Sequence, residues 1–221
     1  MTSEAPDPEP PPRGRQREAR DNDRILLRAA REVFAARGWQ APMSAVAEHA
    51  GIGIASIYRR YPSKEDLVLR LRILAISELT RVATECLPGE GSAVARFLRR
   101  HVGEAPAPLM LGSWREIATA PGIPELAEEL RLALEALIAR DAAARLVPGD
   151  YTPADLMVAI VHLRPGLPTG HERAVELHLR HVDYYLLGLA ASIDDPARVS
   201  GRGSDWDEWL SFTMRNGAER P

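Results

Sequence analysis

The segment GIGIASIYRRYPSKEDLV, residues 51–68, decides how this chain is read. Two glycines lie near its start, Pro62 interrupts it, and Ser63 with Asp66 three residues on makes a capping-box-like restart, Asp standing where Glu is usual. The spacing predicts a two-turn helix from about Ala55 to Tyr61. Ile57, Tyr58 and Tyr61 fall at i, i+1 and i+4, share one face, and should pack on Phe34, Val46 and Ala50. Ser56, Arg59 and Arg60 fall on the other side, and Arg59, about 200° around the axis from Ile57, should point most directly outward.

Upstream, Asp21, Asn22 and Asp23 are N-cap formers, and Ile25, Leu26, Ala29, Ala30, Val33 and Phe34 follow at helical spacing until Gly38. After Pro42, Ser44 can cap a second helix, SAVAEHA, which Gly51 ends. Helix, tight turn and short helix with outward arginines make a helix-turn-helix, whose second helix enters a DNA major groove. Arginine suits that position because its planar fork grips guanine O6 and N7 together, for ~1–3 kcal/mol of discrimination. Gly53 lets backbone come close to a phosphate. Tyr58 and Lys64 flank the helix, where a hydroxyl and an ammonium reach phosphates.

Charge is distributed accordingly. The chain of 221 residues carries a net −3, which taken whole argues against nucleic acid. Residues 13–72, however, hold 13 Lys/Arg against 7 acids, a local +6, while residues 1–12 carry −3 and residues 73–221 carry −6. A basic head on an acidic body implies a polyanionic partner at one end. Arg13, Arg15 and Arg17, read as part of a flexible arm over residues 1–20, could add backbone or minor-groove contacts. No apolar run approaches the ~20 residues of a membrane span. No apolar signal region opens the chain and Cys86 is the only cysteine, so a cytoplasmic protein, nucleoid-associated when bound to DNA, is expected.

The same residues carry a resemblance. FAARGW (34–39) and AGIGIASIYRRYPSKEDL (50–67) resemble the N-terminal signature of TetR-family transcriptional regulators, in the branch with a G-[VI]-G-x-[GA]-[ST]-[LI]-Y-R recognition segment. The resemblance implies phosphate or base contacts from Ser44 and Ser56, and phosphate contacts from Tyr58 and Lys64. It also implies a homodimer on a palindromic operator, a small-molecule effector whose binding releases DNA, repression as the usual outcome, and no catalysis or cofactor.

The rest of the chain reads as all-α: a helix from Lys64 to about Cys86, then helices near 92–103, 107–120, 124–146, 153–164 and 171–190, with proline- or glycine-rich separators. The expected architecture is a DNA-binding head over 21–68, a helical ligand-binding and dimerisation body over 69–193, and a tail over 194–221, in which SDWDEWLSFTM could form an amphipathic turn. The C-terminal half of 171–190 is apolar around much of its circumference, which fits burial on more than one side. Pocket candidates that the resemblance implies are Leu74, Leu109, Met110, Trp114, Leu137, Met157 and His162, with His101 and Glu116 among possible polar contacts. Two rival functions stand beside the regulator. In HERAVELHLRH (171–181), His171, His178 and His181 with Glu172 or Asp183 could hold a metal ion in an enzyme. A DNA-architectural protein with no ligand is the other.

Overall fold

The computed structural model describes residues 13–38, 40–104, 120–163, 166–195, 197 and 199–215. Among them every regular element is helical, and no helix is long and apolar enough to cross a membrane. The expected helix near 107–120, with Leu109, Met110, Trp114 and Glu116, lies outside the described residues. The chain divides into two compact units between Leu67 and Val68.

The first unit holds α1 (Arg13–Arg37), α2 (Met43–Ala50) and α3 (Ile54–Arg60), and ends in the first turn of α4 (Lys64–Cys86). α1 packs on α2, and α2 on α3. Leu26, Ala29, Ala30, Val33 and Phe34 form the buried stripe of α1, with Val46 and Ile57 fully enclosed beside it. Ile25 departs from the expected stripe and is 40% exposed. The start of α1 departs further: it opens at Arg13, not at Asp21–Asp23. The run RQREAR (15–20) is rich in strong helix formers and free of proline and glycine, so the helix propagates through the acidic cluster instead of nucleating there. Residues 13–20 are therefore helix rather than flexible arm.

Gly38 and Gly51 end α1 and α2 in the left-handed conformation, at φ +75° and +64°. At Gly51 the next two amides turn back into the helix: Gly51 N–H donates to Glu48 O at 3.2 Å and Ile52 N–H to Ala47 O at 3.1 Å, a Schellman-type close. α2 opens with Pro42 at the N-cap position, so Ser44 lies in the first turn and does not cap it. The restart after Pro62 follows expectation. Ser63 N–H donates to Asp66 Oδ2 and Asp66 N–H to Ser63 Oγ, both at 3.0 Å, a reciprocal capping box.

Gly51 and Gly53 differ in what they require. A side chain at Gly51 would be held at φ +64°, whereas Gly53 has φ −60° and a Cβ there would meet nothing within 4 Å. Gly51→Ala is expected to cost about 1 kcal/mol, and Gly53→Ala to stay within about 0.5 kcal/mol of the parent. Urea midpoints of the two variants check this, and equal midpoints would refute it.

The second unit holds the rest of α4, α5 (Ala93–Glu104), α6 (Ile123–Ala143), α7 (Pro153–His162), α8 (His171–Ser192) and α9 (Trp206–Arg215). α5 is its hub and packs on α6, α7 and α8, while α7 also meets α6 and α9. Ala93, Val94, Phe97, Leu98 and Val102 of α5 are fully buried. The loop before α5 is gripped by two arginines. Arg96 donates to the carbonyls of Cys86 and Pro88, and Arg140 to those of Gly89 and Gly91.

α6 stops at Ala143, short of the expected 146. Arg145 takes φ +53°, and Leu146 N–H donates to Asp141 O at 2.8 Å. A left-handed close built on arginine carries no glycine to announce it. In the tail, Trp206–Arg215 is a full helix against α7, secured where Ser204 O accepts from Thr152 Oγ1 at 2.7 Å.

Candidate nucleic-acid interface

α3 has a buried back and an open front. Ile57 is fully enclosed and the Tyr61 ring is buried, which sets the helix's rotation. Arg59, two residues from Ile57, is exposed, and its Nη2 donates to Ser56 Oγ at 3.1 Å across one turn. Gly53 stands at the N-cap in extended backbone with no side-chain cap, and its carbonyl accepts from Ser56 N–H at 2.8 Å. Ser44 is exposed in the first turn of α2.

Three expected residues sit differently. Tyr58 was expected on the packed face with Ile57, yet it is 47% exposed. One hundred degrees of rotation carries it past the edge of the core that α1 and α2 supply. Arg60 is exposed beside Arg59 as expected, but its guanidinium is engaged, with Nε 3.0 Å from Asp23 Oδ1 on α1. The same carboxylate oxygen accepts from Tyr61 Oη at 2.9 Å, so one acid of α1 holds two successive residues at the end of α3. Lys64 is half-buried, and its Nζ lies 5.5 Å from the centroid of the Phe34 ring. Burial there pushes the ammonium below the usual lysine range, and neighbouring Glu65 works against that shift.

Between α1 and α3 a surface depression of about 380 Å³ is lined by Asn22, Leu26, Ile52, Ser56, Arg59 and Arg60. Asn22 carries no local sequence signal for that role, because only the fold brings α1 beside α3, whereas Ile52 lies in the turn that leads into α3. The arrangement offers exposed guanidinium groups on a rigid rod and hydroxyls at its flanks. Cationic and hydroxyl groups grouped in this way suit polyanion binding.

Residues 26–71 match the family of bacterial regulatory proteins, tetR family. The head thus resembles a TetR-type helix-turn-helix domain. Solved structures extend the likeness beyond the TetR-type head. A TetR transcription regulatory protein from Mycobacterium vanbaalenii is 25% identical, with 79% of this chain covering 98% of that one at a TM-score of 0.53. A TetR transcriptional regulator from Streptomyces coelicolor is 25% identical, with 76% covering 97% at a TM-score of 0.50. No curated protein matches the chain. The fold is thus that of TetR regulators, a helix-turn-helix head and a larger helical body.

The body's candidates are less coherent. Met157 and Leu137 are buried, His162 is exposed at the end of α7, and half-buried His101 stacks on Phe97 with ring centroids 6.2 Å apart. Met110 and Trp114 lie outside the described residues. In α8, His178 is buried while His171 and His181 are exposed, and His181 Nδ1 lies 2.8 Å from Leu177 O. Among the described residues no three His, Cys, Asp or Glu side chains group around a possible metal position. The metal-enzyme reading gains no geometry from α8.

Proposed function

We propose that this protein is a sequence-specific transcriptional regulator, most simply a repressor, in which residues 21–68 bind DNA and residues 69–193 dimerise and take a small-molecule effector. The observation that carries this reading is the exposed Arg59 on a rod whose back is locked by Ile57. Ser44, Ser56 and Tyr58 supply phosphate contacts around it, Lys64 adds charge at the start of α4, and Gly53 admits a phosphate close to backbone. Among the described residues nothing lies within 4 Å of where a Cβ at Gly53 would stand, which fits that approach.

A homodimer is supported by the outer face of α8, where Tyr184 is 55% and Leu187 67% exposed. A second copy is a natural cover for side chains of that size, and two-fold pairing calls for an inverted repeat in the DNA. An effector held by the body would act through α4, the one helix continuous with both units, by favouring the form that binds DNA less well. Met157, His101 and His162 are the described candidates for its pocket, with Met110 and Trp114 beside them in sequence expectation.

Nuclease footprinting on the DNA flanking the gene, with and without metabolites of neighbouring genes, tests the reading. A discrete protected palindrome that one metabolite releases is the expected result. Broad protection with no sequence preference would indicate an architectural protein, and no protection at all would end the proposal.

A further inference from the structure

Arg60 is exposed on α3 beside Arg59 but ion-paired within the head. Its guanidinium Nε is 3.0 Å from Asp23 Oδ1, and the pair is only partly exposed, at 37% and 22% of the two side chains. Tyr61 Oη donates to the same oxygen at 2.9 Å, so Asp23 is oriented by a bond that does not depend on Arg60. Beside the pair lies the open depression that Asn22, Ile52, Ser56, Arg59 and Arg60 itself border, so the guanidinium has room to move.

Resting on the DNA-binding reading above, we infer that Asp23 is a restraint that holds Arg60 off the DNA backbone and so limits affinity for DNA of any sequence. A guanidinium added to a phosphate contributes affinity without sequence information. Each such contact releases condensed counterions and steepens the dependence of log K on log salt by about 0.9. By pairing Arg60 with a carboxylate of the same head, the fold leaves Arg59 to read bases and withholds the adjacent charge. Asp23 is thus a positioning residue, acting through Arg60 without touching a base.

The test uses full-length protein, a random-sequence duplex and an operator duplex selected in vitro from a random library. Asp23→Asn keeps an oxygen for Tyr61 Oη but removes the charge that holds Arg60. On the random duplex it is expected to steepen the salt slope by about 0.9, a difference of about three- to four-fold in affinity between roughly 50 and 200 mM salt. Binding at the low-salt end should be tighter than that of the parent. In an Arg60→Ala background the same substitution should leave the slope where it was. Arg60→Gln alone should shift the parent's slope by less than half of that amount, since its guanidinium is not on the backbone.

A looser or unchanged complex with Asp23→Asn overturns the inference, as a purely structural role for Asp23 would weaken binding. So does a slope change that persists without Arg60, which would mean a general effect of removing one negative charge. A full loss of one contact in Arg60→Gln also overturns it, because Arg60 would then already lie on a phosphate. These outcomes leave the DNA-binding reading intact provided the parent binds the selected operator more tightly than random DNA. A parent that binds neither duplex refutes that reading and the restraint together.

Discussion

Arg59→Ala is expected to relax preference at one base-pair position of each half-site, with a loss of about 1–3 kcal/mol of discrimination there, while the fold survives. The survival follows from exposure: Arg59 is exposed and bonded to Ser56 Oγ, whereas Ile57 and Tyr61 hold the helix in place. The specificity loss follows from rotation, because the enclosed Ile57 turns Arg59 toward the solvent side of α3. Ser56 adds a second constraint by keeping the guanidinium along the helix, so part of the ordering entropy is already spent before DNA arrives. Competition of the operator against duplexes mutated one position at a time gives the measurement. Ser44→Ala is the control: it should weaken all these duplexes by a similar factor, since a phosphate contact carries no base information. If Arg59→Ala instead weakens every duplex equally, or none, Arg59 does not read a base and the orientation assigned to α3 is wrong.

How much of this was legible in the sequence depended on how local the signal was. The end of α2 at Gly51, the break at Pro62 and the restart at Ser63–Asp66 all lie within a few residues of the structure they dictate. They appear in the structure as expected. Helical period alone also located the buried side of α3 at Ile57 and Tyr61. What period could not supply is the width of the core opposite, and so Tyr58, only one position around, was assigned to packing when it is half open to solvent. The Asp21–Asp23 cluster carries a local cap signal that the propensity of the preceding residues overrides, and Asp23 turns out to serve α3 from within α1. That role joins residues 38 apart in sequence, and no periodicity reports such a pairing. The body illustrates the same limit on a larger scale: its helices are legible one by one, but the side chains that close them come from far along the chain.

Asp141→Ala is expected to destabilise the body by about 3–5 kcal/mol, the largest stability loss of any single substitution discussed here. Asp141 is fully buried near the end of α6, and its carboxylate serves as the N-terminal cap of a different helix. Oδ1 accepts from Ala93 N–H at 2.9 Å, and Oδ2 accepts from Val94 N–H at 2.9 Å and Ser92 Oγ at 2.6 Å. Ser92 Oγ in turn accepts from Ala95 N–H at 2.9 Å, so one acid and one hydroxyl satisfy three amides that α5 cannot pair internally. The negative charge also sits at the positive end of the α5 dipole. Arg140 Nη1, 2.9 Å from Oδ1, partly neutralises the acid while reaching the 87–92 loop. Alanine would strip both carboxylate oxygens at once, in a place closed to water, and leave Ser92 Oγ without its acceptor. Because α5 is the hub on which α6, α7 and α8 pack, the damage should spread to the whole unit instead of fraying one end. Asp141→Asn, which keeps one acceptor oxygen but turns an amide group toward the donors of α5, should fall between alanine and the parent. Urea unfolding at fixed protein concentration, followed separately through body and head signals, distinguishes this from a local effect. A loss under about 1 kcal/mol for Asp141→Ala would show that the amides of α5 find other partners, and that the cap supplied across the fold is dispensable.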